Sequence, residues 1–197
     1  MHSKILNGTK ENVMKIVSII GSTRRGNTFA MVNAASKAIC NDAEVEILML
    51  GDMTYTFCDG CLQCDETGEC HIDDDMNSAV EKIKAADGLI IGTPARWGLM
   101  SGELKTFFDR LNPLASPELL AGKKAIAFAV GQSEEDTDDA ESVRLACASI
   151  ETFCENADIE VVDRVCVYDC LEKNDIDGNS KAFKQCEAAA IKLLGAL

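Results

Sequence analysis

Apolar and polar positions along this chain repeat one unit five times. A short apolar run of strand length is followed by a stretch in which apolar residues recur every three or four positions. The first run is Lys15–Ile20. The helical pattern after it covers about Thr28–Ile39, with Val32, Ala35 and Ile39 on one face and Asn33, Ser36 and Lys37 on the other. The second run, Glu44–Leu50, sets Val45, Ile47 and Met49 against Glu44 and Glu46, the alternation of a half-exposed edge strand. A helix opens near Asp74, with Asp73–Asp75 expected to cap it and Met76, Val80 and Ile83 as its stripe. The third run, Gly88–Gly92, is apolar throughout and predicts an interior strand. After the turn 93–98, a helix from Ser101 buries Leu104, Phe107, Phe108 and Leu111 and stops before Pro113. The fourth run, Lys124–Val130, is also interior. An acidic loop over 134–139 leads from it to a helix at about Asp139–Cys154, with Val143, Cys147, Ile150 and Cys154 on its apolar face. Ile159–Tyr168 is mixed, so it reads as the second edge, and a last helix covers Ser180–Leu194.

Strands each followed by a helix predict a parallel sheet with helices on both faces, a three-layer α/β sandwich. Strands one, three and four as interior and two and five as edges give the order 2-1-3-4-5. In such sheets ligands bind beyond the strand C-termini where strands one and three part. The loops 21–28 and 93–98 are therefore expected at one crevice. No repeat or linker interrupts residues 14–197, which read as one domain behind a polar arm over 1–13.

The formal net charge of −14 argues against nucleic acid and anionic membranes as partners. Any anionic ligand needs a local positive pocket, for which Arg24, Arg25, Arg96, Lys105 and Arg110 are candidates. No apolar run is long enough to span a bilayer, and residues 1–13 lack the apolar core of a secretory signal. Ten cysteines in such a chain point to a reducing, cytoplasmic setting with a metal or redox site rather than a disulfide framework.

Three stretches carry candidate chemistry. Gly21-Ser22-Thr23-Arg24-Arg25-Gly26-Asn27-Thr28 stands between a strand and a helix, where unpaired N–H groups, hydroxyls and guanidiniums suit a phosphate. It has neither the lysine of a P-loop nor the G-x-G-x-x-G fingerprint, so a monophosphate fits better than a pyrophosphate. Thr93-Pro94-Ala95-Arg96-Trp97-Gly98 leaves an interior strand with small and planar groups that could line a flat ring; the plainer reading packs Trp97 and solvates Arg96. The long loop 51–73 carries Cys58, Cys61, Cys64 and Cys70, enough thiolates for one [4Fe–4S] cluster. The same set could hold structural zinc or stay a reduced or disulfide-linked loop. Its many acids should lower the potential of a cluster. The remaining cysteines read as small buried apolar residues. His71 reads as a loop residue, and the lysines at 173 and 184 rule out a calcium loop around Asp175–Gly178.

GSTRRGNT at 21–28, CDGCLQCDETGECHIDDDM at 58–76 and GTPARWGLMSGELKTFFDR at 92–110 together resemble the flavodoxin-like family of NADPH-dependent FMN reductases, and within it the iron–sulfur flavoproteins. The resemblance runs from Lys15 to about Leu111. It implies a flavodoxin-like fold and FMN, with Ser22, Arg24, Gly26, Asn27 and Thr28 around the phosphate. It places Thr93, Pro94, Ala95, Arg96, Trp97 and Gly98 along the isoalloxazine, with Gly131 touching the flavin by analogy. Many relatives carry an aromatic residue where Arg96 stands, so Arg96 is suited to hold a flavin carbonyl or an anionic substrate instead. The resemblance further implies an FMN oxidoreductase whose [4Fe–4S] cluster feeds or drains the flavin, with NADH or NADPH as donor. No side chain need act as acid or base. It also implies a homodimer or homotetramer with the flavin near a subunit boundary, and a small-molecule acceptor or redox protein as partner. Three other readings remain: a cluster-free NAD(P)H-dependent reductase of FMN, quinones or azo compounds, an electron carrier between proteins, and a non-redox protein with structural zinc.

Overall fold

Strands β1 (Lys15–Ile20), β2 (Glu44–Met49), β3 (Gly88–Pro94), β4 (Lys124–Val130) and β5 (Glu160–Val167) pair in parallel in the order β2-β1-β3-β4-β5, as the apolar pattern predicts. The computed structural model describes residues 13–115 and 118–197, and the arm expected over 1–13 lies outside them apart from Val13. Helices α1 (Asn27–Ile39) and α7 (Ser180–Ala196) cover one face of the sheet. Their core holds Ile16, Ile20, Met31, Ile90, Phe128 and Leu193. On the other face lie α3 (Asp75–Ala85), α4 (Gly102–Asp109) and α6 (Glu141–Asn156), whose core holds Val17, Ile19, Met76, Leu89, Phe107 and Ile150. The three layers follow from strands buried on both sides, since neighbouring residues of β1 and β3 point into different cores.

Four local details depart from the expected pattern. In β2, Ile47 is 41% exposed while the consecutive Leu48 and Met49 are both buried, one in each core. The edge strand is thus covered on both faces at its C-terminal end, which strict alternation does not capture. The cysteine loop contains a helical turn, α2 (Gln63–Thr67). The helix from Ser101 does stop before Pro113, at Asp109, but a short further helix follows, α5 (Asn112–Ala115), with Pro113 in its first turn, where a missing N–H is tolerated. Finally, β4 and β5 slip register after Ala125, leaving Val162 outside the ladder. The expected cap at Asp74 is present, its carboxylate accepting the Met76 N–H at 3.0 Å. No helix of the described residues is long and apolar enough to cross a membrane.

Gly92 decides how the first crossover meets the sheet. A Cβ there would lie 2.5 Å from Val32 Cγ2 and 3.2 Å from Thr28 Cγ2. The first turns of α1 therefore rest directly on the β3 backbone, bringing the helix N-terminus to the C-terminal edge of the sheet. Gly92→Ala should destabilise the fold by about 1–3 kcal/mol through overpacking. Urea denaturation is the measurement, and an unchanged midpoint would show that α1 can shift without penalty.

Candidate functional site

A cleft of about 760 Å³ opens beyond the C-terminal ends of β1 and β3. Ser22, Arg24, Gly26, Asn27 and Thr28 line it from the β1–α1 loop, Pro94, Ala95, Arg96, Trp97 and Gly98 from the β3–α4 turn, and Gly131 from the end of β4. Of the residues expected to contact the cofactor, only Thr93 does not line it. Thr93 is fully buried behind the wall: its Oγ1 accepts the Ser101 N–H at 2.9 Å and donates to the Pro94 carbonyl at 3.1 Å. Ser101, which the sequence reading used only as a helix start, caps α4 by accepting the Leu104 N–H. It also donates to the Gly21 carbonyl at 2.7 Å, while the Gly21 N–H donates to the Gly92 carbonyl at 2.8 Å. These bonds sew the two loops together.

Unlike α3, α4 and α7, helix α1 begins without a capping side chain, and its first turn holds no acid. Its first N–H groups and the positive end of its dipole are left for a ligand. Ser22 Oγ folds onto its own loop, donating to the Arg24 carbonyl at 3.1 Å and accepting the Arg24 N–H at 3.3 Å. Arg24 has no carboxylate partner among the described residues, and neither has Arg96. Arg25 pairs with Asp52 at 2.5 Å and Lys105 with Asp109 at 2.5 Å, and neither lines the cleft. Asn27 uses its side chain structurally: Nδ2 donates to the Glu172 carbonyl at 2.8 Å and Oδ1 accepts the Ile176 N–H at 3.4 Å. This ties the loop after β5 to the start of α1.

The opposite wall is a tight turn. Arg96 and Leu99 exchange two backbone hydrogen bonds of 2.9 Å around Trp97 and Gly98, whose φ angles are +53° and +74°. A non-glycine residue in the left-handed region is strained, and such strain concentrates at functional sites. Trp97 is fully exposed, so its ring packs on nothing in this chain. Gly131 has a different reason to be glycine: a Cβ would come within 2.7 Å of Val143 Cγ2 and 3.2 Å of Ala95 Cβ. Its absence lets α6 and the β3–α4 turn close behind the cleft. Ser133, Ser142, Leu145 and Leu171 also line the cleft, and the Lys173 stem lies 3.6 Å from where Gly26 would carry a Cβ.

The four loop cysteines, Cys58, Cys61, Cys64 and Cys70, surround one small hollow together with Asp59, His71, Arg110 and Pro113. Burial raises the Cys64 thiol above its ordinary value, and the neighbouring Asp65, Cys70 and Cys58 add to the shift. The Cys61 sulfur lies within 4.8 Å of the Asp59 carboxylate and the His71 ring, which are themselves 2.8 Å apart. Arg110, an expected cation for the anion cleft, instead lies beneath this loop and is 1% exposed. Its guanidinium donates to both oxygens of Asp74, at 2.7 and 2.9 Å, and to the Thr56 and Ile72 carbonyls at 2.8 and 3.4 Å. Burial pushes the Asp74 carboxyl upward, but hydrogen bonds from Arg110 and from the Met76 and Thr56 N–H groups outweigh it and hold it below the usual range.

The sequence profile of the NADPH-dependent FMN reductase family matches residues 14–154. The chain belongs to this family. It is similar to an iron–sulfur flavoprotein of Methanocaldococcus jannaschii, at 41% identity over 122 residues, and to one of Archaeoglobus fulgidus, at 34% over 128 residues. These matches cover 61% and 62% of this chain and 63% and 58% of those relatives, so the chain spans about three fifths of their length. Among solved structures, an NADH:FMN oxidoreductase, EMOB, shares the fold with a TM-score of 0.64 at 24% identity, covering 91% of this chain and 89% of its own.

For this FMN reductase family member, the pair of buried Arg110 and largely buried Asp74 ties both ends of the cysteine loop to the domain, with the Tyr55 hydroxyl donating to the Glu103 carbonyl beside it. Its signal in the sequence was weak, because the two residues stand 36 positions apart. Asp74→Asn should cost about 3–5 kcal/mol near neutral pH, since it leaves the guanidinium buried without its carboxylate. The folded-state value of Asp74 is depressed, so its contribution is present above the unfolded value of about 3.9 and lost as pH falls through the lower folded value. Urea unfolding of both proteins near pH 7 and at progressively lower pH checks this. A difference that persists undiminished through acid titration would locate the effect elsewhere.

Proposed function

We propose that the chain binds FMN in the cleft and a [4Fe–4S] cluster on the four-cysteine loop, and acts as an NAD(P)H-linked oxidoreductase toward a small-molecule acceptor or a redox protein. FMN takes two electrons as hydride and releases them singly, and a cluster carries one, so the pair would join a two-electron donor to a one-electron path. The observation that carries the FMN assignment is Arg24, a cation without a carboxylate partner beside an uncapped helix N-terminus. In this reading Arg24, Ser22, Thr28 and the first N–H groups of α1 hold the phosphate, with Gly26 allowing close approach. Asn27 contributes its backbone while its side chain keeps the loop in place. Pro94, Ala95, Arg96, Trp97 and Gly98 lie along the ring, Thr93 holds their turn from behind, and Gly131 keeps the floor open. Arg96 orients a flavin carbonyl or an anionic substrate. No side chain serves as acid or base.

For the cluster, the donor set supports the assignment: four cysteines around one hollow, beside a buried guanidinium whose Nε lacks an acceptor. A second reading, a loop without a cluster or with zinc, is favoured by two observations. The hollow measures only about 20 Å³, so a cluster requires the loop to open. Cys61 also stands among Asp59 and His71, a set of ligand types that zinc accepts. A homodimer or homotetramer is supported by the exposed Trp97, Leu99, Leu145 and Leu171 on and beside the cleft.

Arg24→Ala should weaken FMN binding by about 1–3 kcal/mol, the range for a charge-assisted hydrogen bond. Equilibrium dialysis of the apoprotein measures it, and unchanged affinity would remove Arg24 from the phosphate site. Anaerobic purification should yield flavin absorbance together with iron and acid-labile sulfide. Cys61→Ser should abolish the iron and sulfide and leave FMN bound. Zinc in place of iron would support the second reading, and loss of FMN along with the metal would make the loop chiefly structural.

A further inference from the structure

Among the described residues, Arg110 is the most buried charged side chain and the one with a buried donor left unpaired. Four of its N–H groups are used, two on Asp74 and one each on the Thr56 and Ile72 carbonyls. Thr56 stands two residues before Cys58 and Ile72 two residues after Cys70. One planar guanidinium therefore grips both ends of the cysteine loop, while Asp74 anchors it to the first turn of α3. That leaves the fifth donor, Nε–H, which is buried without an acceptor at ordinary hydrogen-bond distance, although the Cys70 thiol is close enough to favour the charged guanidinium. A buried donor without a partner is unfavourable, the more so on a charged group. Arg110 lines the hollow ringed by Cys58, Cys61, Cys64 and Cys70, and Cys70 is its neighbour there. The rigid fork cannot turn to satisfy Nε without releasing Asp74 or the loop carbonyls. The hollow is the place from which an acceptor can reach it, and although Asp59, Asp109 and Asn112 also line that hollow, the groups that ring it are the four cysteine sulfurs.

We propose that Arg110 is a positioning residue for the cysteine-bound group: it clamps both ends of the loop and donates its Nε–H to sulfur, either the Cys70 thiolate or a bridging sulfide. This rests on the cluster reading above. An N–H donor at sulfur favours the more negative, reduced cluster and so raises its potential. It opposes the surrounding Asp59, Asp65, Glu66, Glu69 and Asp73, whose charges lower it. Arg110 thereby offsets locally what the acidic loop would otherwise impose.

The test uses the intact protein, purified anaerobically after growth with arginine carrying 15N at Nε, and reduced with dithionite. Pulsed EPR of the reduced cluster should show a 15N coupling, because Arg110 is the only arginine lining the hollow among the described residues. In parallel, Arg110→Lys keeps the charge and removes the fork. It should retain iron and sulfide but show a more negative midpoint in an EPR-monitored redox titration than the parent. A reduced-cluster signal without 15N coupling overturns the inference and leaves the cluster reading standing. A loaded Arg110→Lys protein with an unmoved midpoint overturns the tuning role in the same way. Should that variant fail to fold, the labelled parent protein decides. Absence of iron and sulfide from the parent protein overturns the cluster reading, and this inference with it.

Discussion

The seam between Gly21, Gly92 and Ser101 holds the two halves of the cleft at a fixed separation. The chain leaves β1 toward α1 on one face of the sheet and leaves β3 toward α4 on the other. Two loops that diverge in this way would splay apart if nothing joined them. The Gly21 N–H on the Gly92 carbonyl extends the β1–β3 ladder by one bond, and the Ser101 hydroxyl on the Gly21 carbonyl adds a second link from the start of α4. Thr93 secures the same Ser101 from beneath. These bonds tie both walls of the cleft to the C-terminal edge of the sheet, where ligands bind in folds of this order.

Much of this could be read from residue patterns because the sheet is buried on both sides. Gly88–Gly92 and Ala125–Val130 are apolar without interruption, as interior parallel strands are. Once they are interior, the order of the sheet and the meeting of residues 22–28 with 94–98 follow. What escaped the pattern is which partner each polar side chain takes, most of all where that partner is distant in sequence. Arg25, Lys105 and Arg110 look alike as isolated cations, yet one pairs with Asp52, one with Asp109, and one is buried against Asp74. Asn27 has the right residue type for a phosphate donor, but Glu172 and Ile176 claim its side chain from the far end of the chain. Pro113 obeys the rule for helix stops, since α4 ends at Asp109, and what the rule does not reveal is the short helix that begins one residue before the proline.

The distribution of charge answers how so acidic a chain can take an anion. A net charge of −14 repels phosphate at long range. Arg24 and Arg96 line the cleft without carboxylate partners, and the Lys173 stem packs by Gly26. Arg25 and Lys105 are neutralised by neighbours outside it. Local dipoles and these two guanidiniums face one carboxylate in the lining, that of Asp139, while charges farther off are screened, since the Debye length at physiological salt is about 8 Å.

Trp97 is the only tryptophan in the sequence, and it stands fully in solvent at the lip of the cleft in a left-handed turn. Any event at that lip changes the surroundings of one indole and of no other. The protein therefore carries a built-in optical probe: its ultraviolet emission, free of background from buried tryptophans, reports directly on whether the lip is bare, filled or covered.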